Sequence, residues 1–132
     1  MDIELKHDES SGQLLAPGLH DARLIGILHQ FQGRVTLTFL SVSRSTVVLN
    51  IVCENEIFFI GEGVILPMVI NVAILKTTKD FLANQSIQVS RIQKMKDYSG
   101  REGWILEFIA SYGDGLLVFG SGPFPKFGWE NV

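Results

Sequence analysis

The chain has 132 residues, the size of one domain, so a single domain over residues 1–132 is expected. Its hydrophobic share of 46% against 19% charged excludes intrinsic disorder, and a net charge of −3 disfavours a phosphate-backbone binder. The single cysteine, Cys53, cannot form an internal disulfide and lies in an apolar run, which reads as a buried thiol.

Residues 1–18 read as a partly loose lead-in. Asp8-Glu9-Ser10-Ser11-Gly12 and Ala16-Pro17-Gly18 are turn-forming, and Met1 to Lys6 is charged and alternating, unlike a signal peptide. Leu24, Ile25, Ile27 and Leu28 predict a strand ending near Phe31, with Gln32-Gly33 as a hairpin turn. Val35, Leu37 and Phe39 then alternate with Arg34, Thr36 and Thr38, which buries one face and wets the other. Val47, Leu49, Ile51 and Cys53 repeat that period beyond Ser43-Arg44-Ser45, so a hairpin joins the two runs.

Ile57 to Ile60 is a short apolar run stopped by Gly61-Glu62-Gly63. Val64 to Leu75 is rich in β-branched residues, and Pro67 would break a helix, so one strand, or two with a bulge near Pro67, is expected. Interrupted by Pro67 and Asn71, this stretch falls short of the roughly 20 apolar residues of a membrane helix. Thr78 to Asn84 is the best place for a short helical turn, with Thr77 or Thr78 as its cap. Ile87 and Val89 start another strand, and Lys94 to Gly103 is a polar connection. Trp104, Leu106, Phe108 and Ala110 alternate with Ile105, Glu107 and Ile109, and Leu116 to Phe119 pairs back across Tyr112-Gly113-Asp114-Gly115. The tail, residues 120–132, sets Phe124, Phe127 and Trp129 among glycines and prolines. The expected fold is mainly β: an antiparallel sandwich or barrel of hairpins with at most one short helix.

His7-Asp8 and His20-Asp21 are adjacent pairs, and neighbours on an extended strand point to opposite faces, so neither makes an acid–base dyad if extended. His7, His20 and His29 would have to converge from separate segments to hold a metal. No nucleophile elbow, zinc-protease motif or P-loop is present, so neither catalytic residues nor a metal or cofactor is expected. Arg91, Lys94 and Lys96, with Arg101 nearby, read first as a solvated loop and second as a contact for an acidic partner. Phe124, Phe127 and Trp129 read first as a cover for an open sheet edge or core mouth, and second as anchors for a partner or a second subunit. Three aromatics among prolines predict docking by side chains rather than by a full hydrogen-bond ladder. Trp104, Tyr112 and Phe119 would line the mouth of a ligand-binding barrel.

Two patterns frame the chain: Leu19-His20-Asp21-Ala22 opening the first long strand, and Ser111-Tyr112-Gly113 after a late hydrophobic one. With the rhythm of hairpins between them, the chain resembles a group of small bacterial β-rich domains, some of them grouped with toxin-immunity proteins. The tail with Pro123 and Pro125 departs from that pattern. The resemblance implies a non-enzymatic, partner-binding protein, carries no catalytic residue, and gives His20, Asp21, Tyr112 and Gly113 a structural role. For His20 the expected role is a hydrogen bond, with the Tyr112 turn as partner. The leading expectation is therefore a cytoplasmic, immunity-like protein-binding module, whose partner is another protein or a second copy, with no membrane or nucleic-acid role. The alternative is a small-ligand-binding β-barrel.

Overall fold

The computed structural model describes residues 3–30, 33–53, 57–61, 64–77, 80, 103–113, 115–122 and 124–132. They form β1 (Ile3–Glu4), β2 (Lys6–His7), β3 (Leu14–Ala16), β4 (Arg23–Gln30), β5 (Arg34–Leu40), β6 (Thr46–Val52), β7 (Ile57–Ile60), β8 (Met68–Thr77), β9 (Gly103–Ala110), β10 (Leu116–Ser121) and β11 (Lys126–Asn131). Nine strands follow one hydrogen-bonded order, β1-β11-β6-β5-β4-β8-β9-β10-β7, and β2 pairs with β3 separately. The fold is mainly β and antiparallel, as the alternating sequence predicts.

The register of β5 on β6 explains the strength of that alternation. Val35 stands opposite Ile51, Leu37 opposite Leu49 and Phe39 opposite Val47. All six are buried, and the intervening Thr36 and Asn50 bond to each other on the other face at 3.0 Å. The strand order turns a corner at β4 and β8, where only Arg23↔Val69 and Leu24↔Met68 are paired. Beyond this corner the two arms face one another over the core. Phe39 on β5 meets Phe108 on β9 with ring centroids 5.6 Å apart. Trp104 on β9 meets Phe127 on β11 edge-to-face at 5.9 Å. Among the described strands the sheet does not close into a barrel, since β1 and β7 end their order.

Ile105, Leu117 and Phe119 alternate with the core residues of β9 and β10, yet they too are buried. Both strands therefore lose water on both faces, as their nearly unbroken apolar sequence allows. Trp104 fits because Gly120 is its cross-strand partner. A Cβ at position 120 would come within 3.0 Å of the indole Nε1, so the glycine provides the space the ring fills.

Several expectations need correction. The lead-in carries strands not expected from the sequence: β1 pairs with β11, and β2–β3 is a hairpin held by Asp8. The Asp8 carboxylate accepts hydrogen bonds from the Ser10 and Ser11 backbone N–H groups at 2.8 and 2.9 Å and from the Ser10 hydroxyl at 2.6 Å. The hairpin is fastened to β8 by the Leu75 N–H, which donates to the Gly12 carbonyl at 2.7 Å. In the Val64 to Leu75 run, the strand starts only at Met68, after the proline that cannot donate to a ladder, and its bulge falls at Asn71. The tail forms a full ladder, with all six residues of β11 in register with β6. Pro125 precedes the strand, so it costs that ladder no donor. Of the helical turn expected at Thr78 to Asn84, only Asp80 is described: its N–H donates to Thr77 Oγ1 at 3.1 Å, the contact expected of a Thr77 cap. The strand expected at Ile87 and Val89 lies outside the described residues.

Candidate functional site

His20 and Asp21 lie in a turn, not on an extended strand, with Asp21 in the left-handed region at φ 62°. The premise that separated their side chains therefore fails, and His20 Nε2 comes 3.4 Å from Asp21 Oδ2. His20 Nδ1 donates to the Asn71 carbonyl at 2.7 Å, so its partner is β8 and not the Tyr112 turn. Asn71 is the extra residue of the β8 bulge, where the register shifts between Ile70 and Val72. The Asp21 N–H donates to the Ile70 carbonyl and the Ile70 N–H to the Ala22 carbonyl, both at 2.8 Å. The Ser111 N–H reaches the Val69 carbonyl at 3.0 Å. Leu19–Ala22 and Ser111–Gly113, far apart in the sequence, thus meet on one stretch of β8. Gly113 holds a φ of 77° in its turn, a conformation that suits glycine.

The ligand mouth expected from Trp104, Tyr112 and Phe119 does not form. Trp104 and Phe119 are buried, whereas Tyr112 is 88% exposed in the turn beyond the opposite end of β9. The three histidines stay apart: His7 beside the tail, His20 on the β8 bulge and His29 against Phe59. Among the described residues, no group of three or more His, Cys, Asp or Glu could hold a metal ion. Arg91, Lys94 and Lys96 lie outside the described residues. Cys53 is half-buried against the core.

The aromatic tail divides. Phe127 and Trp129 are half-buried on β11 and pack against the core of their own chain. Phe124, ahead of the strand, stays 46% exposed and faces the His7 ring at 6.3 Å. Between β2, β8 and the tail lies a cleft of about 450 Å³, lined by Leu5, His7, Leu75 and Phe124 to Phe127.

A second feature is the outer edge of β4. The register of β4 on β5 shifts between Leu24 and Gly26, so Ile25 is a bulged extra residue. β4 leaves β8 at that point, and no described strand pairs with the outer edge of Ile25 to Gln30. Ile25 is 44% exposed, Ile27 38% and Leu28 55%. Ile27 and His29 stand opposite the buried Leu37 and Val35, on the inward face, yet the facing arm leaves both open to solvent. This edge was missed in the sequence. Its signal was the break in alternation after Leu24, which places apolar residues at Ile27 and Leu28 in succession.

No family model, curated protein or solved structure matches the chain. Among the described residues, no helix is long and apolar enough to cross a membrane.

Proposed function

We propose that this chain is a cytoplasmic, non-enzymatic protein-binding module that takes an extended, uncharged segment of its partner along the outer edge of β4. The observation that supports this reading is the edge at Ile25 to Gln30, with which no described strand pairs and which carries exposed Ile25, Ile27 and Leu28. An open edge offers unpaired N–H and C=O groups to an added strand, and the alternating side chains select what is added. Sheet proteins commonly guard such edges with Lys or Pro, and Ile25-Gly26-Ile27-Leu28-His29-Gln30 contains neither. The resemblance of Leu19–Ala22 and Ser111–Gly113 to immunity-type domains adds the expectation of a protein partner.

A photoreactive phenylalanine at position 28 tests this in cells, with the same residue at position 112 as control. The expected result is one dominant crosslinked protein at 28 and none at 112. Binding of that protein, once purified, should be lost in Ile25→Lys with the circular dichroism of the variant unchanged. Crosslinking that is indifferent to position, or binding that survives Ile25→Lys, removes the edge from the function. A crosslink to the chain itself would make the partner a second copy.

A further inference from the structure

The turn Leu19-His20-Asp21-Ala22 is anchored at both ends, and its two middle side chains are exposed. Leu19 and Ala22 are buried, and the Ala22 N–H donates to the Leu19 carbonyl at 3.0 Å, which closes the turn. The Asp21 N–H is tied to the Ile70 carbonyl, and its left-handed backbone brings the carboxylate beside the His20 ring. Among the described residues, no lysine or arginine pairs with this carboxylate. A carbonyl only accepts, so the Asn71 carbonyl at 2.7 Å places the proton of the neutral His20 ring on Nδ1. Nε2 then holds a lone pair, 3.4 Å from an Asp21 carboxylate oxygen that also only accepts. Two acceptors that meet without a donor call for a cation between them.

We infer that His20 Nε2 and Asp21 Oδ2 form a two-residue chelate for a borderline divalent transition ion such as zinc, with water in its remaining positions. The distance separates a metal ion from a proton. An imidazolium that donates to a carboxylate draws it to roughly 2.7–2.9 Å. A tetrahedral zinc with bonds of about 2.0–2.2 Å to both atoms holds them about 3.3–3.5 Å apart. The observed separation is 3.4 Å. The bond from Nδ1 to a backbone carbonyl is the outer-shell contact that orients a metal-bound histidine and raises its basicity. An imidazole nitrogen beside a carboxylate oxygen suits zinc, copper or nickel, whereas magnesium and calcium prefer all-oxygen sets. The ring is held by β8 and the carboxylate by the turn, so the pair is placed before the ion arrives. The site is separate from the β4 edge, which begins beyond it at Ile25.

The probe is zinc chloride, titrated near neutral pH into the full chain labelled with nitrogen-15 and followed by the imidazole nitrogen shifts of all three histidines. The expected result is a saturable shift of His20 Nε2, with the rings of His7 and His29 unmoved. Magnesium and calcium at the same concentrations should move none of them. Asp21→Asn keeps a residue that tolerates the left-handed backbone and should weaken zinc binding by more than about tenfold, the loss that even an outer-shell partner of a metal ligand brings. His20→Ala, at an exposed position, should abolish binding. Absence of a saturable His20 response at millimolar zinc overturns the inference and leaves a proton as the cation. So does an equal response at all three histidines, a response to calcium equal to that to zinc, or an unchanged affinity in Asp21→Asn. The comparison of the three rings in the unaltered chain decides the matter even where a variant fails to fold.

Discussion

The His29 imidazole meets the Phe59 ring edge-to-face with centroids 4.9 Å apart, joining two strands that share no ladder. β4 lies at the corner of the strand order and β7 at its end, so this contact links the corner to the end of the far arm. Among the described strands, none pairs with the outer edge of β4 beside this contact.

His29→Ala should lose the ring-pair term, about 0.5–1.5 kcal/mol. Urea unfolding measures that loss. Hydrogen exchange should show faster exchange in β7 together with the far half of β4. A variant with unchanged stability and unchanged exchange would mean that the ring contact holds nothing.

The centre of the core is held quite differently, by Phe39 packed on Phe108 between the two arms. Both rings are fully buried, so Phe39→Ala should cost about 3–5 kcal/mol in urea unfolding. A loss below about 1 kcal/mol would show that Phe39 is not in a packed core.

Gly12 has a φ of 78°, and a Cβ there would run into the Leu75 carbonyl oxygen. Gly12→Ala thus adds a steric clash to a backbone conformation that L side chains avoid, a strain of about 1–3 kcal/mol. The expected outcome is local. The Leu75 amide, which donates to Gly12, should lose its exchange protection while the Leu37 and Leu49 amides keep theirs. Retained protection at Leu75 would show that the hairpin can yield without leaving β8.

Hydrogen bonds from the Ser10 hydroxyl, then from the Ser11 and Ser10 backbone N–H groups, hold the Asp8 carboxyl well below its ordinary 3.8, at about 2. A carboxylate depressed on folding contributes stability above its unfolded value and loses it as pH falls through the folded one. The turn should therefore be fully supported above about pH 4 and loosen progressively toward about pH 2. Carbon-detected NMR of the Asp8 carboxyl should give a midpoint near the lower figure. In Asp8→Asn the Ser10 and Ser11 amide shifts should lose this acid transition.

What the sequence made legible was local. Val35, Leu37 and Phe39 could be assigned because a wet face separates them, and the pairing strand follows after a short turn. The tail could not be read as a strand because its partner, β6, is remote in the chain and the prolines ahead of it suggest irregular backbone. Tyr112 and Trp104 looked like neighbours on a mouth, but they sit at opposite ends of β9, and sequence spacing does not show which end of a strand faces the core. The hydrogen bond of His20 was foreseen, but its closeness to Asp21 was not, because a left-handed Asp21 turns the chain where extension was assumed. The cleft needed Leu5, Leu75 and Phe124 to meet from three elements, and none of them signals the others along the chain.

Removal of residues 123–132 tests the outermost layer of that nonlocal structure. It strips β11 from β6 and takes from β1 its partner among the described strands, since Ile3 and Glu4 pair with Trp129 and Gly128. Phe127 and Trp129 lie opposite Ile51 and Leu49, so their loss uncovers two residues that are otherwise fully buried. Trp104 loses the ring at 5.9 Å that covers it. Full burial of one such side chain stabilises by roughly 1.5–3 kcal/mol, and both of these are half-buried, so a loss of about 1.5–3 kcal/mol is expected from the two together. Against a usual domain stability of about 5–15 kcal/mol, the truncated chain should melt markedly earlier and bind an apolar dye. Because β11 pairs within its own chain, the melting temperature of the intact protein should not rise with concentration. A rise would mean that a second copy supplies the strand. Unchanged stability on truncation, with Trp129 emitting as a water-exposed indole in the intact chain, would mean instead that the tail is a free arm, and the cleft it walls would be lost with it.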